Sequence, residues 1–193
     1  MDIEIRNGYQ EPPVYEKING KLAKMSRPNA GHIDVAGDLH FILKSHFKNK
    51  MCRVFSEIDV YLRDRDNFIP DLCVLCDVNK LKNGSIYGAP DLVVEILSRS
   101  TYKRDEGYKK DVYEECGVRE YWIADPFMKR IKVYKLENGV YNLYDDRALM
   151  EDKDYDNLTD EDKQLHTLIV KSSVFSDLHV GLNDVFIDYD KTD

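Results

Sequence analysis

Long apolar runs are missing from this chain of 193 residues. No stretch approaches the ~18–20 consecutive apolar residues of a membrane-spanning helix. The opening MDIEIRNGYQ also lacks the basic then apolar layout of a secretory leader. These absences lead to the expectation of a soluble, cytoplasmic protein without a membrane partner. Positive charge is short as well: 28 Lys and Arg stand against 36 Asp and Glu, for a formal net charge of −8. Cations that displace counterions drive phosphate binding, so on its face −8 speaks against nucleic acid. Cysteine is sparse, with only Cys52, Cys73, Cys76 and Cys116, and without a leader the four read as reduced thiols in a cytosolic core rather than as a disulfide frame. Cys73 and Cys76 have CxxC spacing, but no second such pair or nearby His pair completes a zinc site. The surrounding IPDLCVLCD reads as a strand, on which positions three apart face opposite sides. Internal repeats and low-complexity segments are absent.

What is present suits one domain over residues 1–193, since 42% of the residues are apolar and 11% aromatic, enough for a core. From Val14 to Met25, VYEKINGKLAKM is two strand-like runs around Asn19-Gly20, a pair that favours a type I′ hairpin. His32, Val35, Ala36, Leu39, Ile42, Leu43 and His46 then recur at helical spacing and predict an amphipathic helix from Asn29 to Lys48. CRVFSEIDVYL and FIPDLCVLCD, joined by the polar RDRDN, read as consecutive antiparallel strands. After a loop, VNKLKNGSIYG, the run PDLVVEILS from Pro90 to Ser98 is apolar at nearly every position, as a strand covered on both faces should be. A helix follows from about Tyr102 to Cys116, with Ser100 or Thr101 able to cap it and Gly117 to stop it. REYWIADP and KRIKVYKLENGVYNLYD supply further strands, the last two a hairpin turning at Asn138-Gly139. Residues 145–163 carry nine acidic and three basic residues and read as an exposed, solvated excursion. HTLIVKSSVFSDLHVGLNDVF closes the chain as a strand and a short returning segment. The order is that of an α/β domain with a mixed central sheet.

Two carboxylates stand where a core should be. Glu95 shares a strand face with Val93 and Leu97, and Asp71 lies between Ile69 and Cys73 directly after Pro70. An ionised carboxylate buried without a partner costs several kcal/mol, order of magnitude. If the two strands pair, the carboxylates meet at one spot and repel unless a cation or a shared proton intervenes. Oxygen ligands of this kind suit Mg²⁺ or Mn²⁺. The bland alternative satisfies both groups with backbone N–H groups or with Arg53 or Arg99. On the following helix, Lys109 falls on one stripe with Val112, Tyr113 and Cys116 and should point at the sheet, whereas Lys110 is rotated by ~100° toward Glu106 and Glu114. Lys109 could equally lay its stem on apolar surface and send its head to solvent. An Asp, a Glu and a Lys converging from adjacent elements nevertheless describe a site.

The segments IPDLCVL, GAPDLVVEILSRST, KRDEGYKKDVYEECGVREYWIADP and VFSDLHVGLNDVF resemble those of the restriction-endonuclease-related family called Uma-two, part of the PD-(D/E)XK nuclease superfamily. The resemblance runs from roughly Tyr15 to Phe186. It implies a restriction-endonuclease-like αβββαβ core, here with an added N-terminal hairpin, one divalent metal site and hydrolysis of DNA. Asp71 matches the acidic residue of the PD element and Glu95 that of the (D/E)XK element. Leu97 stands where the superfamily pattern has its lysine, and the family supplies one from the next helix, matching Lys109. Asp91 also matches the family block, either as a site residue or as a strand-start residue bonding nearby backbone. His32 corresponds to a histidine of family members and is either a core histidine or a site residue. Glu57 and Asp59 share a polar strand face, where Glu57 is either solvated or an added ligand.

The resemblance implies a Mg²⁺-dependent endodeoxyribonuclease, with Mn²⁺ as a substitute, whose metal is bound by Asp71, Glu95 and the Ile96 carbonyl and whose Lys109 orients the water or contacts the phosphate. A nuclease fold that binds nucleic acid or a protein without cutting is the alternative, and a homodimer through the apolar C-terminal segment is a further expectation. The charge then reads differently. Residues 145–163 contribute −6 and residues 184–193 contribute −3, which leaves +1 for the body of the domain. Lys44, Lys48, Lys50 and Arg53 gather near the end of the first helix, and Arg99, Lys103, Arg104, Lys109 and Lys110 around the second. A phosphate backbone is therefore an admissible partner, bound weakly and with strong salt dependence.

Overall fold

The computed structural model describes residues 12–98, 102–150, 155, 157–159, 163 and 167–186. Strands β1 (Tyr15–Ile18) and β2 (Lys21–Lys24) form the expected hairpin, with Asn19 at φ 49° and Gly20 at φ 80°, the left-handed pair a type I′ turn requires. Helix α1 (Ala30–His46) starts where the Asn29 side chain accepts a hydrogen bond from the His32 N–H at 3.0 Å. It buries Val35, Leu39 and Leu43 of the predicted stripe. The two strands expected next are each cut in two, as β3 (Arg53–Ser56) and β4 (Val60–Arg63), then β5 (Asp66–Phe68) and β6 (Leu72–Leu75). Both halves stay antiparallel, β3 with β6 and β4 with β5. Between them the chain bends at Glu57, at φ 49°, so that the tip of this long hairpin enters a different sheet.

The segment read as a loop holds a second small hairpin, β7 (Leu81–Lys82) and β8 (Ser85–Tyr87), turning at Asn83-Gly84. Strands this short show no period in a sequence. Strand β9 (Leu92–Ile96) is buried throughout. The helix expected over Tyr102 to Cys116 is interrupted: α2 (Tyr102–Arg104) passes through a π-helical turn, Asp105–Lys109, into α3 (Lys110–Glu115). At the break Gly107 has φ −112° and ψ −107°, outside the helical range. Gly117, at φ 84°, ends the helix as expected. Strands β10 (Glu120–Asp125), β11 (Arg130–Glu137) and β12 (Val140–Ala148) follow, the last two turning at Asn138-Gly139. Because β12 runs to Ala148, the acidic excursion expected from Asp145 begins inside the sheet, where Arg130 holds Asp146. Most of its remainder, and the expected caps Ser100 and Thr101, lie outside the described residues. Strands β13 (Ile169–Lys171) and β14 (His179–Gly181) pair with each other.

The central sheet has the order β12-β11-β10-β9-β6-β3, and a second sheet has the order β2-β1-β5-β4-β8-β7. Among the described strands of the central sheet only β9 and β10 run parallel, with the broken helix as their crossover. On one face Leu92, Val94, Ile96 and Trp122 pack with the α1 stripe. On the other, Val93, Tyr121 and Ile123 meet Tyr113 of α3 and Val60 and Phe68 of the second sheet. Both faces of β9 are thus covered, as its unbroken apolar run demanded. α1, β3, β6, β9, the broken helix and β10 make the αβββαβ order. The buried carboxylate of Glu120 ties the closing segment to β10, accepting from the Trp122 indole at 2.5 Å, the Ser173 N–H at 2.6 Å and the Val174 N–H at 2.8 Å.

The expectation of four reduced thiols is overturned. Cys52 and Cys76 form a disulfide, while Cys73 and Cys116 are free. Register is the reason: Arg53 pairs with Leu75, so the next position outward sets Cys52 beside Cys76. Burial, with the Glu95 charge adding to it, pushes the Cys73 thiol up to about 12, which makes it unreactive in the folded protein. Alkylation in denaturant without reductant is therefore expected to label Cys73 and Cys116 only, with Cys52 and Cys76 labelled once reductant is added. Peptide mapping by mass spectrometry checks this, and labelling of all four cysteines without reductant would contradict the pairing.

Candidate active site

The ends of β6 and β9 open on a cavity of about 640 Å³. In the antiparallel pairing of these strands Leu72 stands opposite Val94, so continuing the register by one residue sets Asp71 opposite Glu95. Asp71 Oδ2 accepts a hydrogen bond from the Ile96 N–H at 2.6 Å, and its Oδ1 lies 3.2 Å from His32 Nε2. Lys109, projecting from the π-helical turn, places its Nζ 2.9 Å from Glu95 Oε1, 2.7 Å from Glu16 Oε1 and 3.8 Å from Asp105 Oδ1. All four side chains are buried. The Tyr113 hydroxyl donates to the same Glu95 oxygen at 2.8 Å, and the Ile69 N–H donates to Glu16 at 3.0 Å.

Burial pushes the Glu95 carboxyl up to about 8; Lys109 opposes that rise, while the charges of Asp105, Asp71 and Glu16 add to it. Burial also works against the charge on Lys109, but Glu95, Glu16 and Asp105 outweigh it and hold the ammonium above its ordinary range. For His32 burial lowers the pKa, and the hydrogen bond and charge of Asp71, helped by Glu57, more than offset this and raise it. Four carboxylates, those of Glu16, Asp71, Glu95 and Asp105, thus surround one buried ammonium and one imidazole. Such an excess of negative charge is relieved by a cation or by protonation.

Asp71, Glu95, Ile96, Lys109, His32 and Glu57 all line this one cavity. The structure does not bring Asp91 there. It sits at the opposite end of β9, where its carboxylate accepts from the Cys76 N–H at 2.8 Å and pairs with Arg119 at 3.2 Å, the backbone-bonding role. Arg53 does not serve the carboxylates either, since its guanidinium donates to the backbone carbonyl of Lys50, and Arg99 lies outside the described residues. Asp59 accepts from the Asn67 amide at 3.0 Å rather than standing in solvent.

Sequence reasoning missed Glu16 and Asp105. Glu16 had the same signature as Glu95, an acid between Val14 and Ile18 on one face of a strand, but the hairpin gave no reason to place it near the sheet's centre. Asp105 lies one turn before Lys109 on the same helical stripe and could have been found by extending that stripe backward.

Among known proteins, the sequence profile of the Uma2 family, described as "Putative restriction endonuclease", matches residues 5–157. An uncharacterised protein of a Synechocystis strain is 25% identical over 123 residues, which are 62% of this chain and 65% of the relative, so the match spans less than two thirds of that protein. Among solved structures, a "putative nuclease belonging to DUF820" from Anabaena variabilis matches with a TM-score of 0.67 over 90% of both chains, at 22% identity. That likeness is one of fold.

Replacing the central cation is expected to damage folding. Lys109→Met leaves Glu16, Glu95 and Asp105 buried without their ammonium, and the loss should be about 3–5 kcal/mol at neutral pH. Urea unfolding measures it, and the deficit should narrow in acid, where the carboxylates take up protons.

Proposed function

The chain belongs to the Uma2 family, and on that premise we propose that it is a metal-dependent endonuclease, hydrolysing DNA phosphodiester bonds at the cavity where Asp71, Glu95 and Lys109 converge. The observation that carries this reading is the pair of carboxylates on adjacent antiparallel strands with a buried lysine 2.9 Å from one of them. The donor set fits Mg²⁺, with Mn²⁺ as a substitute: Asp71 and Glu95 offer carboxylate oxygens and Ile96 a main-chain carbonyl. Among the described residues no group of three or more His, Cys, Asp or Glu side chains is gathered tightly enough to form a metal cage. Mg²⁺ rarely uses such a cage, and is typically held by one or two carboxylates together with substrate phosphate. When bound, the cation supplies a water nucleophile near neutral pH and offsets charge on the phosphate oxygens.

The chain's own residues prepare the place for it. Lys109 and Tyr113 both donate to Glu95 Oε1, and the Lys109 charge works against the rise that burial imposes on that carboxyl. The Ile96 N–H fixes the Asp71 carboxylate from one side and His32 from the other. Lys109, which the sequence offered as the residue to orient water or contact phosphate, acts here by holding Glu95.

Incubation of the purified protein with supercoiled, linear and single-stranded DNA is expected to show cleavage that requires Mg²⁺ or Mn²⁺ and stops on chelation. Asp71→Asn and Glu95→Gln should each slow it by at least about 100-fold, the scale of losing one group that stabilises developing charge. Absence of cleavage with either metal, or equal rates for wild type and Glu95→Gln, would overturn the reading.

A further inference from the structure

A DNA phosphate entering this cavity brings negative charge to walls that already hold Glu16, Glu57, Asp71, Glu95 and Asp105. The proposed metal answers part of that charge, and a cation of the chain on the cavity wall is suited to answer the rest. Lys109 is spent: its ammonium is buried among three carboxylates, at 2.7, 2.9 and 3.8 Å. His32 is engaged by Asp71 at 3.2 Å, and Arg27, which also lines the cavity, has an interaction of its own.

Arg104 differs from all of these. It is the last residue of α2, immediately before the π-helical turn that carries Asp105 and Lys109. It lines the same cavity and is half-buried, and its Nε is shielded from solvent without a hydrogen-bond partner. Among the described residues Arg104 makes no ion pair. A shielded donor left open is a cost, and an acceptor arriving with a ligand removes it. A guanidinium also has the planar fork that matches two phosphate oxygens at once.

We propose that Arg104 is the phosphate-binding residue of this site, donating to the non-bridging oxygens of a substrate phosphodiester, while Lys109 serves the carboxylates. The proposal rests on the nuclease reading above and divides the two cations by task. It places a sequence-independent contact at the cavity, one that positions the strand without reading bases.

The test is DNA binding by the full-length protein, with Ca²⁺ in place of Mg²⁺ to hold cleavage back, measured over a series of salt concentrations for single- and double-stranded oligonucleotides of several sequences. Arg104→Gln should weaken binding about tenfold, equally for every sequence, and lower the slope of log affinity against log salt by about one. Arg104→Lys keeps the charge and should keep the wild-type slope. Lys103→Gln, at the exposed neighbouring position, should change affinity much less than Arg104→Gln. Unchanged affinity or unchanged slope in Arg104→Gln, with its urea midpoint at the wild-type value, would overturn the assignment of Arg104 while leaving the nuclease reading intact, and so would a lowered slope in Arg104→Lys. A wild-type protein that neither binds nor cuts DNA would overturn both.

Discussion

One buried ammonium joins the three parts of the chain that make the cavity. Lys109 comes from the π-helical turn, Glu95 from the centre of the main sheet and Glu16 from the N-terminal hairpin. Each of these groups would be costly to bury alone, and each has a partner of opposite charge within reach. The hairpin is therefore more than an appendage to the core: its one buried acid is also bonded by the Ile69 backbone just before Asp71. Hairpin, sheet and helix are held in register at the point where the chemistry is proposed to occur.

The rest of the site follows from where regular structure stops. The antiparallel pairing of β6 with β9 ends just before Asp71, so the Ile96 N–H bonds the Asp71 side chain instead of a neighbouring strand. The long hairpin bends at the same level, and its tip joins the second sheet that covers the other face of β9. The broken helix places Arg104, at the end of α2, and Asp105 and Lys109, in its π-helical turn, on the wall of the same cavity. Interrupted elements, each with a local cause, thus set the side chains that line the cavity.

Charge is distributed with the same economy of position. The chain is acidic in total, yet Asp146 is held by Arg130 and Asp145 by Arg147 at 2.8 Å, so part of the acidity at the start of the expected excursion is answered within the sheet. At the cavity the balance is reversed from what the cation-rich second helix suggested. Carboxylates outnumber the cations that face them, and this excess is the physical ground on which both the metal and the Arg104 contact are proposed.

Much of this was legible in the sequence, and the limits of legibility are physical. The hairpin turns at Asn19-Gly20 and Asn138-Gly139, the α1 stripe and the doubly covered β9 all declared themselves, because each depends on local dihedral preference or on a hydrophobic period. Glu95 and Asp71 stood out because an acid within an apolar strand face needs compensation, and Lys109 because the stripe it shares with Val112 and Tyr113 lies wholly after the break in the helix. Other features depended on residues far apart in the chain. The Cys52–Cys76 disulfide follows from strand register, and the arrival of Glu16 at Lys109 from the packing of a second sheet against the first. The retreat of Asp91 from the site follows from which end of β9 faces the cavity. The sequence by itself determined which groups could not be buried unpartnered; only the tertiary structure decided who their partners are, because pairing a buried charge requires contacts that local propensity does not encode.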